Sequence, residues 1–261
     1  VGHAHHRRFF VSPAAITDER VEFEPEQAHQ LARVLRLTAG AVVWVCDGTG
    51  REWEATLDLV APRRATARLA APPRHASAPR LGTTLAQIVP RGGAMETIVA
   101  KATELGVRRI VPLEGARSVR RAPGSSARWQ RIAREAAEQC GRVDLPLLDP
   151  PRTLTEFLTE SSGLPLVACE AGAGVPPFWA VVSELRGAAG IVLVVGAEGG
   201  FGADEVARMR AAGAHVASLG PRRLRADTAA LVALALVQAC LGDLGAGDGE
   251  PQAGIAADGA P

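Results

Sequence analysis

The sequence predicts an α/β fold in two parts, a small β-barrel followed by a mostly parallel sheet covered by helices. Three observations carry this expectation. Ile191-Val192-Leu193-Val194-Val195 is an unbroken β-branched and leucine run, the pattern of a strand buried on both faces. From Leu81 to Leu241, strand-length apolar runs alternate with helix-length stretches, as a parallel sheet with crossover helices requires. Ahead of them, residues 41–57 read as two alternating strands joined by Asp47-Gly48-Thr49-Gly50, a hairpin with turn residues in the right place.

Taken in order, residues 8–72 hold strands at Arg8-Phe9-Phe10-Val11, Ala41 to Cys46, Glu52 to Leu57 and Ala65 to Leu69, with a short helix from Pro25 to Leu35. A small barrel is the natural closure for such strands. Ala71 to Pro79, rich in proline, breaks both periodicities and reads as a linker. Beyond it the expected strands are Leu81–Val89, Ile110–Leu113, Pro165–Cys169, Ile191–Val195 and His215–Leu219. The expected helices are Met95–Leu105, Ala127–Cys140, Ala203–Ala212 and Asp227–Leu241. Gly172 and Gly174 are followed by Pro176 and Pro177, which reads as a loop. After Gly242 the chain is dominated by Gly, Ala, Asp and Pro, the composition of a disordered tail. The resulting division is a barrel over 1–72, a linker over 73–80, a second domain over 81–244 and a tail over 245–261.

Composition narrows the function classes. With 47% hydrophobic residues among 261, the chain can bury a full core. Cys46, Cys140, Cys169 and Cys240 are scattered and form no Cys-x-x-Cys pair, so they read as reduced, mostly buried thiols of a cytoplasmic protein, with metal ligation as the second choice and no metal expected. His3, His5 and His6 read as part of a mobile N-terminus, with metal chelation as the alternative. No signal-peptide pattern opens the chain, and the longest apolar helical run, Ala229 to Leu241, is shorter than the roughly 20 residues that cross a bilayer. No membrane association is expected. Net charge is +1, yet nine arginines against Glu114, Glu135 and Glu138 lie between Arg108 and Arg142. That is the footprint of a polyanion partner; a general arginine bias, with only one lysine in the chain, is the other reading.

The Gly196-Ala197-Glu198-Gly199-Gly200 turn after the buried strand lets the backbone bend sharply and be approached closely. Glu198 in its middle argues against a pyrophosphate. No Gly-x-Gly-x-x-Gly or Gly-x-x-x-x-Gly-Lys spacing follows a strand, which disfavours ordinary nicotinamide, flavin and P-loop chemistry. A neutral or cationic ligand suits this turn.

The motifs themselves resemble a known family. Gly-Ala-Glu-Gly-Gly-Phe at 196–201 and Leu-Gly-Pro-Arg-Arg-Leu-Arg-Ala-Asp-Thr-Ala at 219–229 are similar to the signature loops of the ribosomal RNA small subunit methyltransferase E family, uridine-N3 methyltransferases of the SPOUT class. The likeness extends through Arg91-Gly92 with Met95-Glu96, Lys101 to Val107, Arg117-Ser118 and Glu138-Gln139-Cys140-Gly141-Arg142, and back to Arg8-Phe9-Phe10-Val11, His29 and Arg33-Val34-Leu35-Arg36. It implies a SPOUT trefoil-knot methyltransferase domain behind a PUA-like RNA-binding barrel, S-adenosylmethionine as cofactor, small-subunit ribosomal RNA as substrate, and a homodimer packed through the last helix. That helix is apolar on nearly all sides, which suits burial all round; a central helix of a monomer is the plain alternative.

By this resemblance Arg225, Glu198 and Asp227 are the candidate catalytic residues. Arg225 would stabilise charge developing on the uracil ring, and the two carboxylates would accept a proton or anchor the arginine and the cofactor. Gly196, Glu198, Gly199, Leu219, Gly220, Leu224 and Thr228 are the expected cofactor contacts. Arg8, Arg33, Arg36, Arg91, Arg117 and Arg142 are the expected RNA contacts, with a plain surface role as the alternative for each. Asp227 has a second reading as the N-cap of the last helix. The chain departs from the family at Ala94, Ala197, Arg223 and Asp227. At the last of these, aspartate for glutamate draws the carboxylate back by about 1.5 Å. Two other functions fit the same sequence: a SPOUT enzyme acting on transfer RNA, and a non-catalytic RNA-binding assembly protein.

Overall fold

The computed structural model describes residues 7–70, 72–75, 80–115, 125–160, 163–170 and 174–245. Arg117, the N-terminal histidines, Gly172 and nearly all of the expected tail lie outside these residues.

The first seven strands form one sheet. They are β1 (Arg8–Phe10), β2 (Ile16–Thr17), β3 (Arg20–Glu22), β4 (Val42–Cys46), β5 (Arg51–Ala61), β6 (Arg64–Leu69) and β7 (Arg74–His75). Their order is β1-β4-β5-β6-β3-β2, with β7 against β5. Alternation puts Val43 and Val45, Trp53, Ala55 and Leu57, and Ala65, Ala67 and Leu69 into one shared core with Phe9 and Val21, so the sheet curls around a single apolar interior. Helix α1 (Pro25–His29) closes it with Ala28 and continues into a π-helical turn over Gln30–Val34 that adds Leu31. Gln27 fixes this helix twice. Its Oε1 accepts from the Glu24 N–H at 3.2 Å, and its Nε2 donates to the Phe10 carbonyl at 2.7 Å.

The hairpin turn is built as its residues predict. Asp47 Oδ1 accepts from the Thr49 N–H at 2.9 Å and the Thr49 hydroxyl at 2.8 Å, an Asx turn. Burial opposes ionisation of Asp47, but these bonds and Arg51 outweigh it and hold the carboxyl below its ordinary range. The segment expected to be a linker contains a short strand, β7, which pairs Arg74 and His75 with Glu52 and Arg51.

The second sheet is wholly parallel. Its strands are β8 (Gly82–Ile88), β9 (Arg109–Glu114), β10 (Leu147–Leu148), β11 (Arg152–Thr153), β12 (Leu166–Cys169), β13 (Gly190–Val195) and β14 (His215–Ala217). The order is β10-β9-β8-β13-β12-β14, with β11 also on β9. The helices are α2 (Ala94–Glu104), α3 (Ser125–Cys140), α4 (Leu154–Thr159), α5 (Phe178–Glu184), α6 (Ala203–Ala211) and α7 (Ala226–Leu241).

Alternation along the central strand separates the two layers. Ile191, Leu193 and Val195 face the core built with α2, α3, α5 and α7. Val192 and Val194 face the smaller core built with α4 and α6. Every residue of β13 is buried, as its unbroken apolar run demands. Two helices were not legible. Helix α4 is short and held by a capping box, in which Thr153 Oγ1 accepts from the Glu156 N–H and the Glu156 carboxylate accepts from Thr153. Helix α5 follows the loop expected over Gly172 to Pro177 and corrects the reading that its prolines exclude a helix start, because Pro177 is itself the N-cap, a position where a missing N–H costs nothing.

The two parts meet on a small apolar cluster of Phe10, Cys46, Ala137 and Val143. Across it the Phe10 N–H donates to Glu138 Oε1 at 3.1 Å, and the Leu145 N–H donates to the Gly48 carbonyl at 3.2 Å. Burial raises the Glu138 carboxyl above its usual range despite that hydrogen bond. Trp44, Trp53 and Trp129 are core residues, whereas Trp179 on α5 is 62% exposed. The cysteines are free thiols. Among the described residues no helix is long and apolar enough to cross a membrane.

Candidate active site

Strand register creates the site. Gln87 of β8 pairs with Val195 of β13, Val195 with Cys169 of β12, and Cys169 with Ala217 of β14. Four strands therefore end in one row, and the loops leaving Val195 and Ala217 start side by side, although more than twenty residues separate them. A parallel sheet gathers its ligand-binding loops at this carboxyl edge.

The first loop is a tight turn in which the Gly200 N–H donates to the Ala197 carbonyl at 2.9 Å. A side chain at position 196 would crowd it: a Cβ there would lie 3.1 Å from the Gly200 carbonyl carbon and 3.2 Å from its Cα. Gly200 itself sits at φ +64, where a Cβ is disfavoured. Glu198 ties the turn to the loop before α2 by accepting from the Arg91 N–H at 2.9 Å. The second loop is pinned at its start, where the Ser218 N–H donates to the Pro176 carbonyl and the Ser218 carbonyl accepts from Phe178 N–H, each at 2.8 Å. Ser218 Oγ accepts from the Gly220 N–H at 3.2 Å, with Gly220 at φ +120.

A pocket opens between the two loops and α7. Of the residues expected to hold a cofactor, Gly196, Glu198, Leu219, Gly220 and Leu224 line it. Gly199 lies at the turn's exposed tip and Thr228 on the exposed first turn of α7, neither on the pocket wall; Ala226 and Ala229 present that helix instead. Arg225 is the N-cap residue of α7. Its side chain is 85% exposed, 3.9 Å from Asp227 Oδ1, and off the pocket wall. Asp227 is therefore not the cap. It occupies the second helical position, where Oδ1 accepts from the Thr228 N–H at 2.8 Å and a negative charge favours the helix dipole.

The expected RNA-facing arginines divide. Arg33, Arg36 and Arg91 are exposed. Arg8 is held at the junction by Glu52 at 3.3 Å. Arg142 is fully engaged: Nη1 donates to the carbonyls of Thr103 at 2.8 Å and Val107 at 2.9 Å, and Nε and Nη2 grip Asp144 at 3.3 and 2.7 Å. It thereby clasps the end of α2 to the segment after α3.

Sequence reasoning missed Cys169, Glu170, Arg222 and Arg223, all on the pocket wall. The rule that ligands meet the carboxyl ends of parallel strands would have drawn attention to Glu170, the residue after β12. Its carboxylate accepts from the Phe201 N–H at 3.4 Å. Burial first, and the charge of Glu170 second, push the Cys169 thiol up to about 12, so it lines the pocket as a neutral thiol. Leu219, Leu224, Ala226 and Ala229 give an apolar wall, Glu170 and Glu198 a negative side, and Arg222 and Arg223 a basic lip. Such walls suit a flat heterocycle with hydroxyl or cationic groups attached, as in S-adenosylmethionine. Among the described residues no three His, Cys, Asp or Glu side chains gather as metal ligands.

The parallel sheet with its loop-built pocket and the curled barrel before it fall, by the family models they match, in the class of the RNA methyltransferases. Residues 77–238 match the RNA methyltransferase domain and residues 23–69 the RNA methyltransferase PUA domain. The chain is 37% identical over 237 residues to ribosomal RNA small subunit methyltransferase E of Synechocystis, covering 90% of this chain and 78% of that one. It is 28% identical to the Bacillus subtilis protein of that name, over 88% and 95% of the two chains. The crystal structure of the Neisseria gonorrhoeae enzyme bound to S-adenosyl methionine superposes with a TM-score of 0.82 at 30% identity, covering 92% and 99%. The chain belongs to the ribosomal RNA small subunit methyltransferase E family.

Proposed function

We propose that this protein transfers a methyl group from S-adenosylmethionine to N3 of one uridine in small-subunit ribosomal RNA. The observation that carries the reading is the meeting of the Gly196–Gly200 turn and the Leu219–Arg225 loop in a single pocket, in a family whose Neisseria gonorrhoeae relative is bound to S-adenosyl methionine.

The bound sulfonium supplies an activated methyl group. The chain's own work is then to hold donor and base in line, exclude water and manage one proton. Leu219, Leu224 and Ala229 take the adenine face, while Glu170 and Glu198 face the polar and cationic parts. Arg225 closes over the flipped base and stabilises negative charge as the N3 proton leaves. Its high exposure suits a side chain that is ordered only when RNA arrives. Glu198 is the carboxylate assigned to the proton, since it lines the pocket and Asp227 does not. Arg91, Arg222 and Arg223 at the mouth suit phosphate, and Arg33 and Arg36 extend the basic track onto the barrel.

The functional units in this reading are a PUA-like barrel over 1–72, a linker over 73–80, a methyltransferase domain over 81–244 and a tail beyond. The chain threads as a trefoil knot around the pocket loops. Two copies pair through α7, whose Leu231, Val232, Ala235 and Leu236 are only partly buried within one chain. The enzyme works in the cytoplasm, and the chemistry needs no metal ion.

The test is methyl incorporation into purified small ribosomal subunits, followed by mass-spectrometric mapping of the modified base. A single N3-methyluridine is expected. Arg225→Ala should abolish turnover while leaving cofactor affinity within about threefold. Incorporation only into transfer RNA would overturn the substrate assignment.

A further inference from the structure

Directly beneath the glycine turn lies a polar side chain that the alternation of β8 would have made apolar. Gln87 is completely buried, on the same face as Leu85, which belongs to the core under α2 and α7. The two hydrogens of its Nε2 are shared among three carbonyls, those of Ile88 at 2.8 Å, Gly196 at 3.1 Å and Val195 at 3.3 Å. Its Oε1 has no hydrogen-bond partner among the described residues. Two of the three carbonyls belong to the chain exactly where β13 ends and the pocket turn begins.

We infer that Gln87 is a positioning residue for the methyl-donor pocket. Because peptide units are planar and trans, a donor that holds the carbonyls of Val195 and Gly196 fixes both peptide planes leading into the turn. It thereby fixes the direction in which Ala197 and Glu198 leave the sheet. The turn's own bonds, from Gly200 to Ala197 and from Arg91 to Glu198, hold its tip, whereas the carbonyls of Val195 and Gly196 at its root are held by Gln87. A buried acceptor without a donor calls for an explanation, and the bonds made by Nε2 of the same carboxamide supply one. The inference rests on the assignment of this pocket to S-adenosylmethionine.

The experiment compares wild type, Gln87→Met and Ala229→Trp by calorimetry with S-adenosylmethionine and by binding of small-subunit ribosomal RNA to the cofactor-free protein. Gln87→Met keeps volume and removes the donors, and it should raise the cofactor Kd at least tenfold with RNA affinity within twofold of wild type. A cofactor Kd within twofold of wild type, or parallel loss of both affinities, overturns the inference. Ala229→Trp obstructs the pocket wall. If it abolishes cofactor binding while Gln87→Met does not, only the role of Gln87 fails; if it leaves binding intact, the pocket assignment fails. Should Gln87→Met not fold, the wild-type carboxamide protons are followed by NMR. Slow exchange and a shift that saturates with cofactor support the inference, and no shift overturns it.

Discussion

Removing the Arg142 guanidinium separates a folding role from an RNA-binding one. The side chain is only 12% exposed and its partner Asp144 is 33% exposed. Arg142→Met keeps much of the aliphatic stem, deletes the donors to Thr103 and Val107, and leaves the Asp144 carboxylate without its bidentate partner. Hydrogen bonds from a charged donor contribute about 1.5–3 kcal/mol each. The Asp144 pair, being partly solvated, deserves a discount toward the roughly 1 kcal/mol of exposed bridges. Both carbonyl bonds leave the same nitrogen and are not additive, so the expected loss is about 3–5 kcal/mol. At roughly 2–4 °C per kcal/mol for a chain of this size, the thermal midpoint should fall by roughly 6–20 °C. Urea denaturation followed by far-UV circular dichroism measures the loss, and RNA affinity is read well below the midpoint. A destabilisation under about 1 kcal/mol accompanied by a tenfold loss of RNA affinity would show that Arg142 faces RNA and that the clasp is misread.

Two further perturbations probe the junction and the turn. For Glu138, burial raises the folded-state pKa above the unfolded one, so the stability linked to its protonation is full below the unfolded value and is lost as pH rises through the folded one. Glu138→Gln keeps an acceptor for the Phe10 N–H, and its thermal midpoint should match wild type near pH 4 and exceed it at pH 8; a wild-type advantage at pH 8 would refute the assignment. Gly196→Ala forces a Cβ to within 3.1 Å of turn backbone, an overpacking that costs about 1–3 kcal/mol. Its cofactor Kd should rise at least tenfold by calorimetry, and an unchanged Kd would mean that the turn does not shape the pocket.

Much of the fold was legible because its signals are local. The all-apolar run of β13, the Asp47-Gly48-Thr49-Gly50 turn and the alternating helices each declare themselves within a few residues, and the observed bounds lie within about two residues of those expected for most major elements. Helices α4 and α5 were hidden because they are short, and because two prolines read as a break where they serve as an entry. The two pocket loops were also visible, since glycines at 196, 199, 200 and 220 advertise unusual backbone.

What no stretch of sequence discloses is which partner a polar group finds. Arg142 and Arg91 look alike as residues, yet one is spent on two carbonyls and Asp144 while the other stays exposed. Asp227 reads as a cap until the helix is seen to begin a residue earlier. Gln87 meets Gly196 from 109 positions away, and Glu170 joins the pocket only because β12 ends beside β13. Backbone propensities and hydrophobic periodicity act over a few residues and so are written along the chain. Hydrogen bonds, burial and charge pairing depend on distances of about 3 Å between remote segments, and only the packed tertiary structure sets those.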